Sequence, residues 1–175
     1  MKLIIFSGLP GAGKSTLAEE TARKLGIPVF AKDWLEASLL NSEMSPTNPQ
    51  KPLGSAGYQL LSMLARRQLL LGQSAILDSV ASTLSIRASW RELARQFSAD
   101  WRVIECVCSD ENLHRSRLST RKREIPGWPE LEWAEVQRVK SYYAAWDEAH
   151  LILDTVEPFE QNLLKALAYC AWHVT

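Results

Sequence analysis

Hydrophobic positions along the chain fall into two alternating rhythms. Five short stretches are almost continuously apolar: LIIFSG (3–8), IPVFAK (27–32), SAILDS (74–79), RVIECVC (102–108) and LILDT (151–155). Unbroken apolar runs of this length predict strands covered on both faces. Glu105, in the interior of the fourth run, is the exception; it faces a polar site or is paired within the sheet. Between the runs the period lengthens. Leu17, Ala18, Ala22 and Leu25 mark one helical face, stopped by Gly26 and Pro28. Residues 58–71 are rich in good helix formers and end at Gly72. Trp90, Leu93, Ala94 and Phe97 recur at helical spacing, Val136, Val139, Tyr143 and Trp146 predict a longer helix, and Leu163, Leu164, Leu167, Ala168 and Ala171 predict a last one.

Strands alternating with helices argue for βαβ units with right-handed crossovers. The expected fold class is therefore α/β, a three-layer α/β/α sandwich around a parallel sheet, with sites beyond the carboxyl ends of its strands. Two stretches lack periodicity: NSEMSPTNPQKPLGSAG (41–57) and RKREIPGWPE (121–130). Long irregular segments in a compact domain tend to cover sites. We expect an insertion over 41–57 and a lid over 115–130, both within one domain spanning 1–175.

Composition narrows the function classes. Lys plus Arg and Asp plus Glu are both 20, so the net charge is zero and no global field draws the chain to nucleic acid or an anionic membrane. The opening MKLIIFSG is too short in apolar residues for a signal peptide or a membrane span. Cys106, Cys108 and Cys170 lack metal-ligand spacing and read as buried thiols, which fits a reducing cytoplasm. His150 and His173 likewise show no metal-ligand spacing, and His114, amid arginines, reads as a surface or lid residue.

The specific signal is GLPGAGKST. Gly8, Gly13, Lys14 and Ser15 fit G-x-x-x-x-G-K-S/T, between a predicted strand and a predicted helix. Gly8, Gly11 and Gly13, with Ala12 between the last two, permit torsions that point successive N–H groups at an anion. Lys14 reaches the outer phosphates, the Ser15 hydroxyl can ligate magnesium, and Thr16 completes the turn where the helix dipole faces the same anion. A GTPase would carry Asn-Lys-x-Asp and an ABC-type partner Leu-Ser-Gly-Gly; neither occurs, and one helix after the fifth strand is short for a hexameric motor. Small kinases fit best.

With AKDWL after the second strand, AILDS at the third and HRSRLSTRKREIPGW later, the chain resembles the P-loop kinase superfamily. Within it, the chain is most similar to the ATP-binding predicted kinases, whose relatives include polynucleotide 5′-hydroxyl kinases, gluconate kinases and chloramphenicol phosphotransferases. The similarity spans nearly the whole chain. It implies strand order 2-3-1-4-5, ATP with magnesium as cofactors, and a mobile arginine-bearing lid.

Asp33 follows the second strand, where the resembling hydroxyl kinases place a base; the competing role is a helix N-cap before WLEASLL. Polynucleotide kinases tend to carry an arginine three residues later, and this chain has Glu36. Asp78 ends its strand at the phosphate edge, where it holds magnesium through water, orients the acceptor, or caps a turn. Arg87 contacts acceptor phosphate or is a solvated helix residue, and Asp154 is expected near the nucleotide base by strand-edge position alone. Arg117 and Arg121, four apart, share a face if their helix continues, and there they offset charge on the transferring group. A solvated face or a nucleic-acid groove are the other readings of that cluster. The expected function is a kinase for a hydroxyl-bearing small molecule, in which 41–57 lies on the acceptor side. A regulatory ATP-binding module and a nucleic-acid 5′-hydroxyl kinase are the alternatives.

Overall fold

In a computed structural model describing residues 1–42 and 53–171, the two rhythms become twelve elements in alternation. They are β1 (Lys2–Ser7), α1 (Lys14–Leu25), β2 (Val29–Ala31), α2 (Lys32–Leu40), α3 (Leu53–Leu70), β3 (Ala75–Asp78), α4 (Leu84–Gln96), β4 (Asp100–Val107), α5 (Glu111–Thr120), α6 (Trp133–Lys140), β5 (Leu151–Asp154) and α7 (Phe159–Ala171). The five strands are parallel in the order β2-β3-β1-β4-β5. This is the order and the α/β fold that the sequence implied.

β1 shows why its run has to be apolar throughout. Leu3 and Ile5 face one way, onto Leu61 and Ala65 of α3 and Trp90 and Leu93 of α4. Ile4 and Phe6 face the other way, onto Leu17 and Ala18 of α1 and Ala166 of α7. Each such side chain taken out of water contributes about 1.5–3 kcal/mol, so both faces of the central strand stabilise the fold. Trp90 is fully buried, and its one polar atom is satisfied: Nε1 donates to Ser62 Oγ at 2.8 Å.

Register sets where the site lies. Phe6 pairs with Asp78, Ser7 with Glu105, and Ala31 with Asp78. The carboxyl ends of β1, β2 and β3 therefore open at one edge of the sheet, where the glycine turn after β1 also begins.

Two helix boundaries differ from expectation. The helix expected through Trp146 stops at Lys140, and 141–150 form an irregular strap. Tyr143 and Trp146 are in the strap because partners in the sheet hold them there. The Tyr143 hydroxyl donates to Glu105 Oε1 at 2.7 Å and lies 2.9 Å from Ser7 Oγ; His150 Nε2 is 3.1 Å from Glu105 Oε2. Glu105 is thus paired, and burial pushes the Tyr143 hydroxyl up in pKa, keeping the proton it donates. On the other side, most of the 41–57 stretch lies outside the described residues, and its final part, 53–57, is already the first turn of α3.

Among the described residues no helix is long and apolar enough to cross a membrane. α2 and α3 are joined by a nearly buried pair, Lys32 Nζ donating to Glu36 Oε1 at 2.6 Å with the ammonium 4.9 Å from the centre of the Tyr58 ring. Glu36 fits only because α3 carries glycine opposite it: a Cβ at Gly57 would lie 2.7 Å from Glu36 Oε1 and 2.8 Å from its Cγ. Gly57→Ala is expected to lower stability by about 1–3 kcal/mol, read as a lower denaturation midpoint. Gly54→Ala, whose Cβ would be 4.0 Å from the same carboxylate, should not. Equal midpoints for the two variants would show that the helices do not meet in this way.

Candidate active site

The turn after β1 takes its shape from three glycines. Gly8, Gly11 and Gly13 have φ of 138°, 82° and 81°, torsions that L side chains rarely adopt. Left-handed residues spaced in this way curl a turn's N–H groups around an anion. Each glycine also faces an obstacle. A Cβ at Gly8 would fall 2.1 Å from the Cys106 carbonyl oxygen of β4, one at Gly11 3.0 Å from His114 Nε2, and one at Gly13 3.1 Å from Thr155 Cγ2. Gly13 is also the N-cap of α1, which has no side-chain cap and no acidic residue in its first turn. The first amides of α1 are left for a ligand.

Two cavities meet at this turn. One, of about 410 Å³, is lined by Gly13, Lys14, Thr16, Arg117, Arg121 and Thr155, among others. The second, of about 390 Å³, is lined by Lys14, Ser15, Asp33, Asp78, Lys122 and Arg123, among others. Lys14, Ser15 and Thr16 line both, and Lys14 is only 9% exposed. The lysine stands on the wall between two pockets, in reach of a group passing from one to the other.

Asp78 enters the second cavity from the end of β3 and is 4% exposed. Burial raises its pKa above the ordinary 3.8, opposed by the Lys14 ammonium and a hydrogen bond with the Ser15 side chain, and reinforced by Asp33 and Glu19. Its Oδ1 has no hydrogen-bond partner. A buried carboxylate with an unused oxygen beside a serine hydroxyl is a chemically suitable seat for magnesium. Among the described residues no group of three His, Cys, Asp or Glu converges on a metal. Magnesium would therefore depend on water and phosphate oxygens for most of its ligands, as this ion commonly does.

Asp33 does not cap α2. The N-cap is Ala31, and Asp33 sits in the first turn of the helix. Its carboxylate pairs with the Arg123 guanidinium of the 121–130 segment. The same segment is tied down by Asn41, whose Nδ2 donates to the Pro126 carbonyl at 2.7 Å.

Arg117 and Arg121 do not share a helical face, because α5 stops at Thr120 and Arg121 is an extended C-cap residue. Both still line the first cavity. Arg117 is anchored, its Nη1 donating to Thr155 O at 2.9 Å and Oγ1 at 3.1 Å. Arg121 is not: Nε and Nη2 are buried without hydrogen-bond partners, and Glu130 is 3.9 Å from Nε. Burial, with Arg123 beside it, lowers its pKa below the usual arginine value. An anion in the cavity would relieve both deficits.

The other residues singled out in the sequence fall into place as follows. Arg87 contacts no acceptor cavity and is not solvated; it is 4% exposed, donates to the carbonyls of Ala81, Ala144 and Ala145 at 2.7, 2.7 and 2.9 Å, and lies 3.8 Å from the centre of the Trp146 ring. Asp154 accepts from the Ser109 and Val156 amides at 3.2 and 3.1 Å, a loop fastening, and it is Thr155 that reaches the first cavity. Cys106 and Cys170 are buried as expected, with burial pushing Cys106 up to about 12, whereas Cys108 is half-buried. His114 is neither a surface residue nor part of the irregular segment: it is buried behind the turn. Sequence offered no signal for it, since its partner is a backbone carbonyl about a hundred residues away.

A family profile described as AAA domain matches residues 3–145 of the chain. An uncharacterized protein of Mycobacterium tuberculosis is 27% identical over 181 residues, covering 98% of this chain and 35% of the relative. The chain thus spans about a third of the length of the curated relatives it matches. Among solved structures, a sugar kinase from Janibacter sp. superposes with a TM-score of 0.71 at 18% identity, covering 97% of this chain and 94% of the other. Kti12 from Chaetomium thermophilum, in complex with ADP-AlF3, superposes equally well at 0.71 and 18%, covering 97% and 100%. At these identities the likeness is one of fold.

Asp78 provides a test of the electrostatics. Below 3.8 the carboxyl is neutral folded and unfolded. As pH rises past that value the unfolded chain ionises first, so the fold loses stability until the raised folded pKa has been passed. Asp78→Asn removes that loss. Without nucleotide, the variant should melt at a higher temperature than the parent at about pH 7, with the advantage shrinking toward about pH 4. No advantage at neutral pH would mean that Lys14 fully compensates the buried charge.

Proposed function

The chain belongs to the AAA-domain family, and from that premise we propose an ATP-dependent phosphotransferase that moves the γ-phosphoryl of Mg·ATP to a hydroxyl-bearing acceptor. One observation carries the reading: a buried lysine common to two cavities, one flanked by Arg121 with unused N–H groups and the other by two carboxylates, Asp33 and Asp78. The first cavity suits a nucleotide and the second its acceptor. In this reading Gly8, Gly11, Ala12, Gly13, Lys14, Ser15 and Thr16 form the nucleotide-binding turn, and 115–130 is a lid within one kinase-like domain.

Ser15, and Asp78 through water, would hold magnesium, which supplies charge neutralisation to the phosphate oxygens when bound. The acceptor oxygen attacks the γ-phosphorus, the bond to the β–γ bridging oxygen breaks, ADP leaves, and the acceptor proton passes to the Asp33 carboxylate. Lys14 and Arg121 balance charge on the transferring group, while Arg117, fixed to Thr155, holds α5 beside them. Catalysis of this kind is mainly positioning and charge compensation.

A second reading has one observation in its favour. Arg123 already grips the carboxylate that would take the proton, as in a chain that binds nucleotide to signal its state and transfers nothing. The likeness to Kti12, solved with ADP-AlF3, is compatible with it.

A panel of alcohols, sugars, nucleosides and 5′-hydroxyl oligonucleotides, scored for acceptor-dependent ADP formation, separates the readings. For the acceptor found, Asp33→Asn is expected to lower kcat by about 10²–10⁴-fold with Mg·ATP affinity unchanged by calorimetry. Lys14→Ala should weaken that affinity. ATP binding with no stimulation by any acceptor supports the regulatory module, and transfer only to oligonucleotides supports the nucleic-acid kinase.

A further inference from the structure

His114 is a buried titratable side chain with no place in the transfer chemistry, yet it touches the turn directly. It stands on α5, is 4% exposed, and lines a third cavity, of about 530 Å³, that reaches the turn at Gly8, Leu9 and Ala12. Its Nε2 lies 2.8 Å from the Pro10 carbonyl oxygen. A carbonyl only accepts, so Nε2 carries the hydrogen and the tautomer is settled by its partner. The ring stands edge-on to Trp133, at 5.1 Å between centres and 88° between planes. The space behind Gly11 is filled by the imidazole and Leu118, each 3.0 Å from where a Cβ at Gly11 would lie.

The peptide held in this way is the middle one of a four-residue turn, which the Ala12 N–H closes by donating to the Leu9 carbonyl at 3.1 Å. Proline fixes φ on one side of the Pro10–Gly11 bond, but ψ of Pro10 and φ of Gly11 are free to rotate together, because glycine accepts φ of either sign. A flip would bring the Pro10 oxygen round toward the anion and take the Gly11 N–H away from it. A carbonyl dipole turned on a triphosphate repels it, and the lost donor is one the charge needs.

We propose that His114 is a positioning residue for nucleotide binding: its Nε2–H holds the Pro10 carbonyl behind the turn and so keeps the Gly11 amide available to phosphate. The inference rests on the nucleotide-binding reading above. The same helix acts at the other end of the turn. Three residues on, Arg117 fixes Thr155, whose Cγ2 is 3.1 Å from the Cβ position of Gly13. α5 therefore braces the turn at Pro10 and, through Thr155, at Gly13.

The test compares His114→Phe, which keeps an aromatic ring and loses the donor, with His114→Gln, whose side-chain amide can still donate. Calorimetry with Mg·ATP should show affinity weakened by about 10- to 100-fold in His114→Phe and mostly recovered in His114→Gln, with similar melting temperatures for the two. A merely structural role predicts affinity that follows melting temperature and no rescue by glutamine; equal affinities in the two variants, or parental affinity in His114→Phe, overturn the proposal. Nitrogen-15 NMR of the imidazole in the unaltered protein gives a reading that needs no variant. Nε2 should be protonated and slow to exchange, with its shift moving on addition of Mg·ATP, and an Nδ1–H tautomer refutes the inference. Failure of the unaltered protein to bind Mg·ATP instead removes the nucleotide reading itself, and the inference with it.

Discussion

Three glycines with nothing at Cβ, each pressed against a different neighbour, fix the turn at which the two cavities meet. Gly8 passes the backbone of β4 at Cys106, Gly11 the imidazole of α5, and Gly13 the residue that follows β5. The turn is therefore moulded at three points by separate elements of the fold. Lys14 follows directly, so the position of its ammonium between two cavities is inherited from the same packing. Register does the rest, delivering Asp78 from β3 level with Phe6, two residues before Gly8.

Charge is organised in the same spirit. The chain is neutral overall, and near the site most charges are already matched, Lys32 with Glu36 and Arg123 with Asp33. What is left unmatched is informative. Arg121 has N–H groups without acceptors, and Asp78 has an oxygen without a donor. Buried polar atoms without partners are costly to a fold, and these two lie in adjoining cavities that share Lys14. One deficit calls for an anion and the other for a cation or water, the complement of a metal-bound phosphate ester.

Much of this was legible in the chain itself, for identifiable reasons. All five apolar runs became strands, although only the inner ones, such as β1 and β3, are buried on both faces; the edge strands β2 and β5 are partly exposed, Ile152 among them. The glycine turn was legible because its torsions restrict residue type. Tyr143 and Trp146 misled, since they keep helical spacing with Val136 and Val139, yet they are held by Glu105, Ser7 and Arg87, partners far away in sequence. Arg87 and His114 were unreadable for a related reason. A polar side chain becomes a core residue when tertiary structure brings carbonyls to it, here those of Ala81, Ala144 and Ala145 for the one and Pro10 for the other. The first turn of α3 was hidden by GSAG, whose glycines read as loop, although the second of them, Gly57, is there to make room for Glu36.

The contact between Arg123 and Asp33 also bears on wasted turnover. If Asp33 is the base of the proposed transfer, a water molecule in the second cavity meets a carboxylate whose Oδ2 is already engaged by a guanidinium, and so a weakened base. A guest with groups of its own to compete for that guanidinium would release the carboxylate. In that case the cavity discriminates against solvent by the number of hydrogen bonds a guest brings, and nucleotide held without a guest would be spared hydrolysis.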